Sequence, residues 1–219
     1  IMPSLVGSEM CIRDRDNLIY VFLSAIPIWS AYEVITLWLY ANQLIPWVNW
    51  DAYPIYLSIM FLLIPTFRSL HFYLTHRLLH WGPLYRLAHK VHHKNSNPGP
   101  WSGLSMHPIE HFLYYTCVMI HWIIPSHPTI AMWNLFHAGL SPHAGHAGYD
   151  RIVFKNGKWI PTGSFFHYLH HKYFECNYAG DDLSFLDKMF GTFHDGTDEG
   201  TEAVRKRLKK KLSLIHISE

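Results

Sequence analysis

Asn17 to Leu39 reads NLIYVFLSAIPIWSAYEVITLWL, an apolar stretch whose one charge is Glu33. As a helix rising about 1.5 Å per residue it matches the thickness of a bilayer's hydrocarbon. Tyr53 to Leu70 (YPIYLSIMFLLIPTFRSL) is a second such stretch, with Arg68 near its end. Between them, Ala41 to Ala52 holds Trp47 and Trp50, whose amphipathic rings favour a membrane interface, together with prolines and polar residues for a turn. The two stretches therefore read as a transmembrane hairpin. A third apolar zone, Ile109 to Leu140, is broken by Pro125 and Pro128 into runs too short to span comfortably, which predicts a tight or shallow re-entrant hairpin. The expected fold is all-α: a multi-pass integral membrane protein with about four membrane-embedded helices.

Charge placement supports the same reading. Lys and Arg are absent from Asp16–Phe67 and from Asn95–Asp150 and cluster in Arg68–Lys94 and Arg151–Lys211. Two hairpins put both basic segments on one face of the membrane, the cytoplasmic one by the positive-inside rule, whether that membrane is a bacterial inner membrane or the endoplasmic reticulum. Over 219 residues, aromatic side chains make up 16 % and charged ones also 16 %, against about 25 % charged in an average soluble domain, which excludes intrinsic disorder and an ordinary soluble surface. The net charge of +2 gives nucleic acid no support beyond the basic run Arg205–Lys211 (RKRLKKK), which reads equally as a solvated helix end or as a contact for anionic headgroups. Cys11, Cys117 and Cys176 form no CxxC and cannot all pair, which points to a reducing compartment. Ser4–Arg15 (SLVGSEMCIRDR) and Leu212–Glu219 (LSLIHISE) look like translated sequencing-adapter read-through. One membrane domain over 16–211 is therefore expected, with residues 1–15 and 212–219 as artefactual tails.

The anomaly of the composition is histidine, at 18 residues. Three clusters stand out: His76 and His80 in HRLLH; His89, His92 and His93 in HKVHH; and His167, His170 and His171 in HYLHH. Spacings of three and four put imidazoles on one helical face, where they can share a metal ion. One such cluster could be chance, but three in a short chain are not readily so. They hold too many imidazoles for one ion, which usually takes about four ligands, so two metals fit the count. Imidazole suits iron, zinc and copper alike, while the lack of a Cys cluster argues against iron–sulfur and structural zinc sites.

With these motifs in order, the chain resembles the fatty acid hydroxylase superfamily, which includes sterol desaturases, methylsterol oxidases and lipid hydroxylases. The resemblance runs from about Arg68 to Thr197 through HFYLTHRLLH, LYRLAHKVHH, NPGPWSGLSMHPIEH, HAGHAGYD, HYLHHKYFECNYAG and LDKMFGTFHDG. It implies two non-haem irons, exchangeable for zinc on overexpression, that activate dioxygen against a lipid C–H bond. The ligands so implied are His76, His80, His89, His92, His93, His167, His170 and His171, with His146 as a further one. Some members place another His four residues after that position, where this chain has Asp150, a candidate supporting partner; His143 is an extra candidate ligand on this sequence's own spacing. Asn177, in an NY pair that recurs in the family, is expected to orient a ligand by hydrogen bonding. Asp181, Asp182 and Asp187 read either as similar supports or as a solvated loop. The resemblance also implies a lipid substrate and a cytoplasmic His-rich catalytic cap. No GxGxxG, flavin or haem-attachment pattern is present, so electrons are expected from a separate b-type cytochrome, ferredoxin or reductase.

Two other classes compete. His107–His111 (HPIEH) formally matches the HxxEH metallopeptidase pattern, with Glu110 as base, yet Phe112–Ser164 offers no Glu as third ligand. An interfacial helix start, with His107 as polar cap or as a donor to a ligand, is the better reading. A haem-binding electron carrier would use one axial His per helix, unlike paired HxxHH motifs. His71, His121, His127, His137 and His194 are singletons, read as interfacial or hydrogen-bonded.

Overall fold

The computed structural model describes residues 13–180 and 183–216. Cys11, Asp181 and Asp182 lie outside the described residues. The first helix, α1, runs Arg13–Ala41 and includes a π-helical stretch at Val21–Ala25. Pro27 explains its position: a proline inside a helix lacks the N–H and crowds the carbonyl four residues back, and the wider turn relieves both. The lone charge, Glu33, accepts a 2.9 Å hydrogen bond from the Trp29 indole. The second helix, α2, runs Pro54–Leu79 with Pro65 inside it. Pro65 cannot donate to the Phe61 carbonyl, and the Trp133 indole N–H does so instead at 3.2 Å, its ring stacked on Phe61.

Helix α3 (Pro108–Tyr115) continues as a 3-10 helix, Thr116–Trp122, and α4 follows at Pro128–Gly145. The predicted break at Pro125 and Pro128 is therefore a helical hairpin, each proline standing just before or at the first turn of α4. Its turn meets the turn between α1 and α2: the Tyr56 hydroxyl donates to the Pro125 carbonyl at 2.7 Å, and the Val48 amide donates to the Ser126 carbonyl. Gly139 lets α4 lie on Trp29 of α1, because a Cβ there would fall 2.1 Å from the indole ring. Tyr32, Tyr115, Leu135, Ala131 and Ala138 form the main buried core.

Of the described helices, α1 and α2 are long and apolar enough to cross a membrane. Their outward faces carry exposed Phe22, Leu23, Val34 and Trp38 on α1 and Ile55, Ile59, Leu62 and Leu63 on α2. A continuous apolar face of this kind suits lipid, not water. The all-α expectation needs one correction: Arg151–Val153 (β1) pairs antiparallel with Trp159–Pro161 (β2), Ile152 facing Ile160. Asn156-Gly157 closes the hairpin, with Gly157 at φ +77°. The chain then forms α5 (Gly163–Tyr173), α6 (Ser184–Met189) and α7 (Asp198–His216).

Candidate metal centre

The clustered histidines gather at the end of α2 opposite the two paired turns, where His80 at its C-terminus meets His170 of α5. His76 sits in the last turn of α2 and His80 caps it. His89 closes a π-helical turn, Tyr85–His89, while His92 and His93 open a 3-10 turn, His92–Lys94. His146 caps α4, and His167, His170 and His171 lie on α5. Two groups result: His76, His80, His89, His93 and His170, and then His92, His146, His167 and His171. Within each group the available nitrogens all lie within 4.8 Å of one another. The groups adjoin, the rings of His93 and His171 having centroids 4.8 Å apart.

Hydrogen bonds on the far side of the rings decide which nitrogen faces inward. His76 Nδ1 donates to the Tyr178 carbonyl at 2.8 Å, His170 Nδ1 to the Cys176 carbonyl at 2.6 Å, and His89 Nδ1 to Glu110 Oε1 at 2.7 Å. The carbonyl oxygens only accept, so on His76 and His170 Nδ1 carries the proton and Nε2 turns a lone pair into the group. Burial pushes the Glu110 carboxyl well above the usual carboxylate range, and His89 Nε2 faces the other imidazoles of its group. His76 Nε2 has no hydrogen-bond partner. The Nε2 atoms of His80, His89, His93 and His170 stand 3.1–3.2 Å apart in contacting pairs, and those of His146 and His167 stand 2.9 Å apart. Two nitrogens at right angles around an ion with bonds of about 2.1 Å are about 3.0 Å apart, so both groups fit a metal ion. Burial, and then neighbouring imidazoles, push His89, His93, His170 and His171 well below the usual imidazole range; burial takes His92 down to about 4 and His167 to about 3. The rings are thus neutral, as ligation requires.

The supports around the rings come from places the sequence does not advertise. Buried Ser102 Oγ lies 2.7 Å from His146 Nδ1. Asp187, also buried, accepts from the backbone N–H groups of Tyr178 and Ala179 at 3.0 and 2.8 Å and from Thr192 Oγ1. It thereby holds the loop whose Tyr178 carbonyl accepts the hydrogen bond from His76 Nδ1. Asn177, at φ +49°, contacts no ligand imidazole; it donates to the Phe166 and His194 carbonyls and accepts from the His194 N–H, fixing the two carbonyls on either side of it. Gly180 has φ +65°, and a Cβ there would press on His167 Nδ1 at 3.1 Å.

Three sequence-derived candidates are corrected. His143 stands outside both groups, because its ring is engaged elsewhere, with Nδ1 2.8 Å from the Pro100 carbonyl. Asp150 is exposed and pairs with Arg151 instead of any histidine. His107 caps α3 by accepting from the Ile109 N–H and supports no ligand. The carboxyl of Glu110 does so in its place; the signal available was an acidic side chain among apolar neighbours, which when buried needs a hydrogen-bond partner. His111 meets Ser24 and the Leu104 carbonyl, so HPIEH assembles no peptidase site. His71, His121, His127 and His194 each meet a Ser or Thr hydroxyl and belong to neither group.

A cavity adjoins the second group, bordered by Arg68, Phe72, Met106, Tyr114, His146 and His167. Most of this wall is apolar, and His92 joins His146 and His167 on it, so three histidines of that group line the cavity.

Comparison with known proteins identifies the family. Residues 59–192 match the family model described as fatty acid hydroxylase. The chain is 30 % identical over 174 residues to a Delta(7)-sterol 5(6)-desaturase of Gibberella zeae, covering 72 % of this chain and 50 % of that protein. It is 33 % identical over 145 residues to methylsterol monooxygenase 1 of Rattus norvegicus, covering 64 % and 47 %. A C-4 methylsterol oxidase of Schizosaccharomyces pombe is 35 % identical over 119 residues, covering 49 % and 38 %. The chain thus spans about half the length, or less, of these relatives. No solved structure matches significantly. With its His motifs folded into two buried groups inside the matched region, the chain belongs to the fatty acid hydroxylase family.

Proposed function

We propose that the protein is an O2-dependent di-iron oxidoreductase that hydroxylates or desaturates a C–H bond of a membrane lipid. The observation that carries this reading is the pair of adjoining all-histidine groups, one of them bordering an apolar cavity beside a helix long enough to cross a membrane. The ligands are His76, His80, His89, His93 and His170 for one iron, and His92, His146, His167 and His171 for the other. Iron bound there supplies the activation of dioxygen and the oxidising power that an unactivated C–H bond demands.

The chain's own part is positional. Burial keeps the imidazoles neutral, and the contacts of Glu110, Ser102 and the Cys176 and Tyr178 carbonyls hold their nitrogens inward. Phe72, Met106 and Tyr114 exclude water from the space where the hydrocarbon lies. The curated relatives are named for sterols, so a sterol or a related lipid is the substrate class to examine first. The histidine end faces the cytoplasm, in a bacterial inner membrane or the endoplasmic reticulum, where a b-type cytochrome, ferredoxin or reductase delivers electrons. Lipid profiling of a host expressing the full-length gene, with and without His170→Ala, tests the reading. A new oxidised or desaturated lipid that vanishes in the variant is the expected result; identical profiles overturn it.

A further inference from the structure

Arg68 lies inside α2, and its side chain is almost wholly buried, at 2 % exposure. Its Nε and Nη1 have no hydrogen-bond partner, and among the described residues no carboxylate pairs with it. Its neighbours are aromatic faces: the guanidinium carbon is 4.1 Å from the Tyr114 ring centroid and 5.9 Å from that of Phe72. Such contacts attract a cation, and the Tyr114 hydroxyl is a neutral partner for the guanidinium, but neither supplies a counter-charge. A guanidinium does not shed its proton, so a buried one keeps its charge and calls for an anion. On a helix able to cross a membrane this demand is sharper still, and an unpaired charge there marks a binding function.

The same cavity wall contains His92, His146 and His167 of the second metal group. We infer that Arg68 is the recognition residue of this cavity and binds the oxyanion, carboxylate or phosphate, of an acidic lipid whose hydrocarbon lies toward those histidines. A neutral sterol offers a hydroxyl, which can accept a hydrogen bond but cannot balance the charge. Phe72 lies between the guanidinium and the second group, its ring centroid 5.9 Å from the guanidinium carbon and 6.1 Å from the His167 ring, so an anchored lipid meets that group away from its acid end. The inference rests on the reading of the cavity as the lipid site of the proposed oxidoreductase and narrows its substrate class.

The test titrates the purified full-length chain in detergent with palmitate, methyl palmitate, lysophosphatidate and cholesterol, reading binding by competition with a radiolabelled acyl probe. Palmitate, lysophosphatidate or both should bind at least about tenfold tighter than methyl palmitate and cholesterol, which also identifies the source of the oxyanion. Arg68→Met should lose that factor for the acids and leave the ester unchanged, with metal content and thermal midpoint reporting an intact fold. If Arg68→Met does not fold, Arg68→Gln carries the same comparison. Equal binding of acid and ester by the unaltered protein, or an acid preference that survives loss of the guanidinium, overturns the inference. Failure of the underlying catalytic reading looks different: the iron-loaded protein then converts no lipid of either class, whatever it binds.

Discussion

Glu110 Oε1 accepts a 2.7 Å hydrogen bond from His89 Nδ1, with both side chains buried. The carboxylate thereby fixes the ring's tautomer and strengthens Nε2 as a donor toward metal. Glu110→Ala should lower metal affinity about 10–100-fold, and Glu110→Gln, which keeps an accepting oxygen without the charge, should lower it less. Metal retained during graded chelation is the measurement. Retention equal to that of the unaltered protein in Glu110→Ala would remove Glu110 from the centre.

Protein purified from iron-replete cells should carry close to two metal ions per chain, counted by mass spectrometry of the metal against protein. A ratio near one, or a Soret band, would contradict the two-group arrangement. The stoichiometry is the informative quantity, because the affinity order of divalent metals favours zinc over iron on overexpression.

His171→Ala removes a nitrogen of the second group, and His93→Ala one of the first; each should abolish product formation. His127→Ala removes only the cap of α4, at a cost of about 1 kcal/mol, and should retain most activity. Product analysis of the three variants in parallel separates these cases. Full activity in His171→Ala would sink the ligand assignment.

In metal-free protein the buried imidazoles make stability depend on pH. His92 and His167 titrate near 4 and 3 when folded, against 6.5 ordinarily, so below pH 6.5 the unfolded chain takes up more protons than the folded one. Their contribution to stability is complete above about pH 6.5 and is lost as pH falls toward the folded values. The thermal midpoint of chelator-treated protein should therefore drop across this window. A midpoint that rises on acidification would mean that these rings are not buried neutral.

Asn49, Lys90 and Lys172 are all exposed, the first in the turn after α1 and the other two beside the histidines. Single cysteines at these positions, in a background without the native ones, should label from outside intact cells with a membrane-impermeant reagent only at position 49. Labelling at 90 or 172 would put the centre out of reach of a cytoplasmic electron donor.

Much of this protein is written locally. The apolar lengths of α1 and α2, the Trp-bearing turn between them and the proline break at Pro125–Pro128 follow from composition and from the backbone needs of a helix in lipid, which act within a few residues. The His spacings likewise pointed to imidazoles gathered in more than one group. How the imidazoles divide was not legible, because the motifs do not map one to each ion. His89 and His93, four residues apart, join the first group while His92 between them joins the second. On α5, His167 and His171 are one turn apart and share a group, whereas His170, about 100° around the helix from His171, faces the other. The Asp187-held carbonyl of Tyr178, the carboxylate of Glu110 and the unpaired guanidinium of Arg68 acquire their roles only when distant segments pack together, since a hydrogen bond or a buried charge is defined by its partner in space.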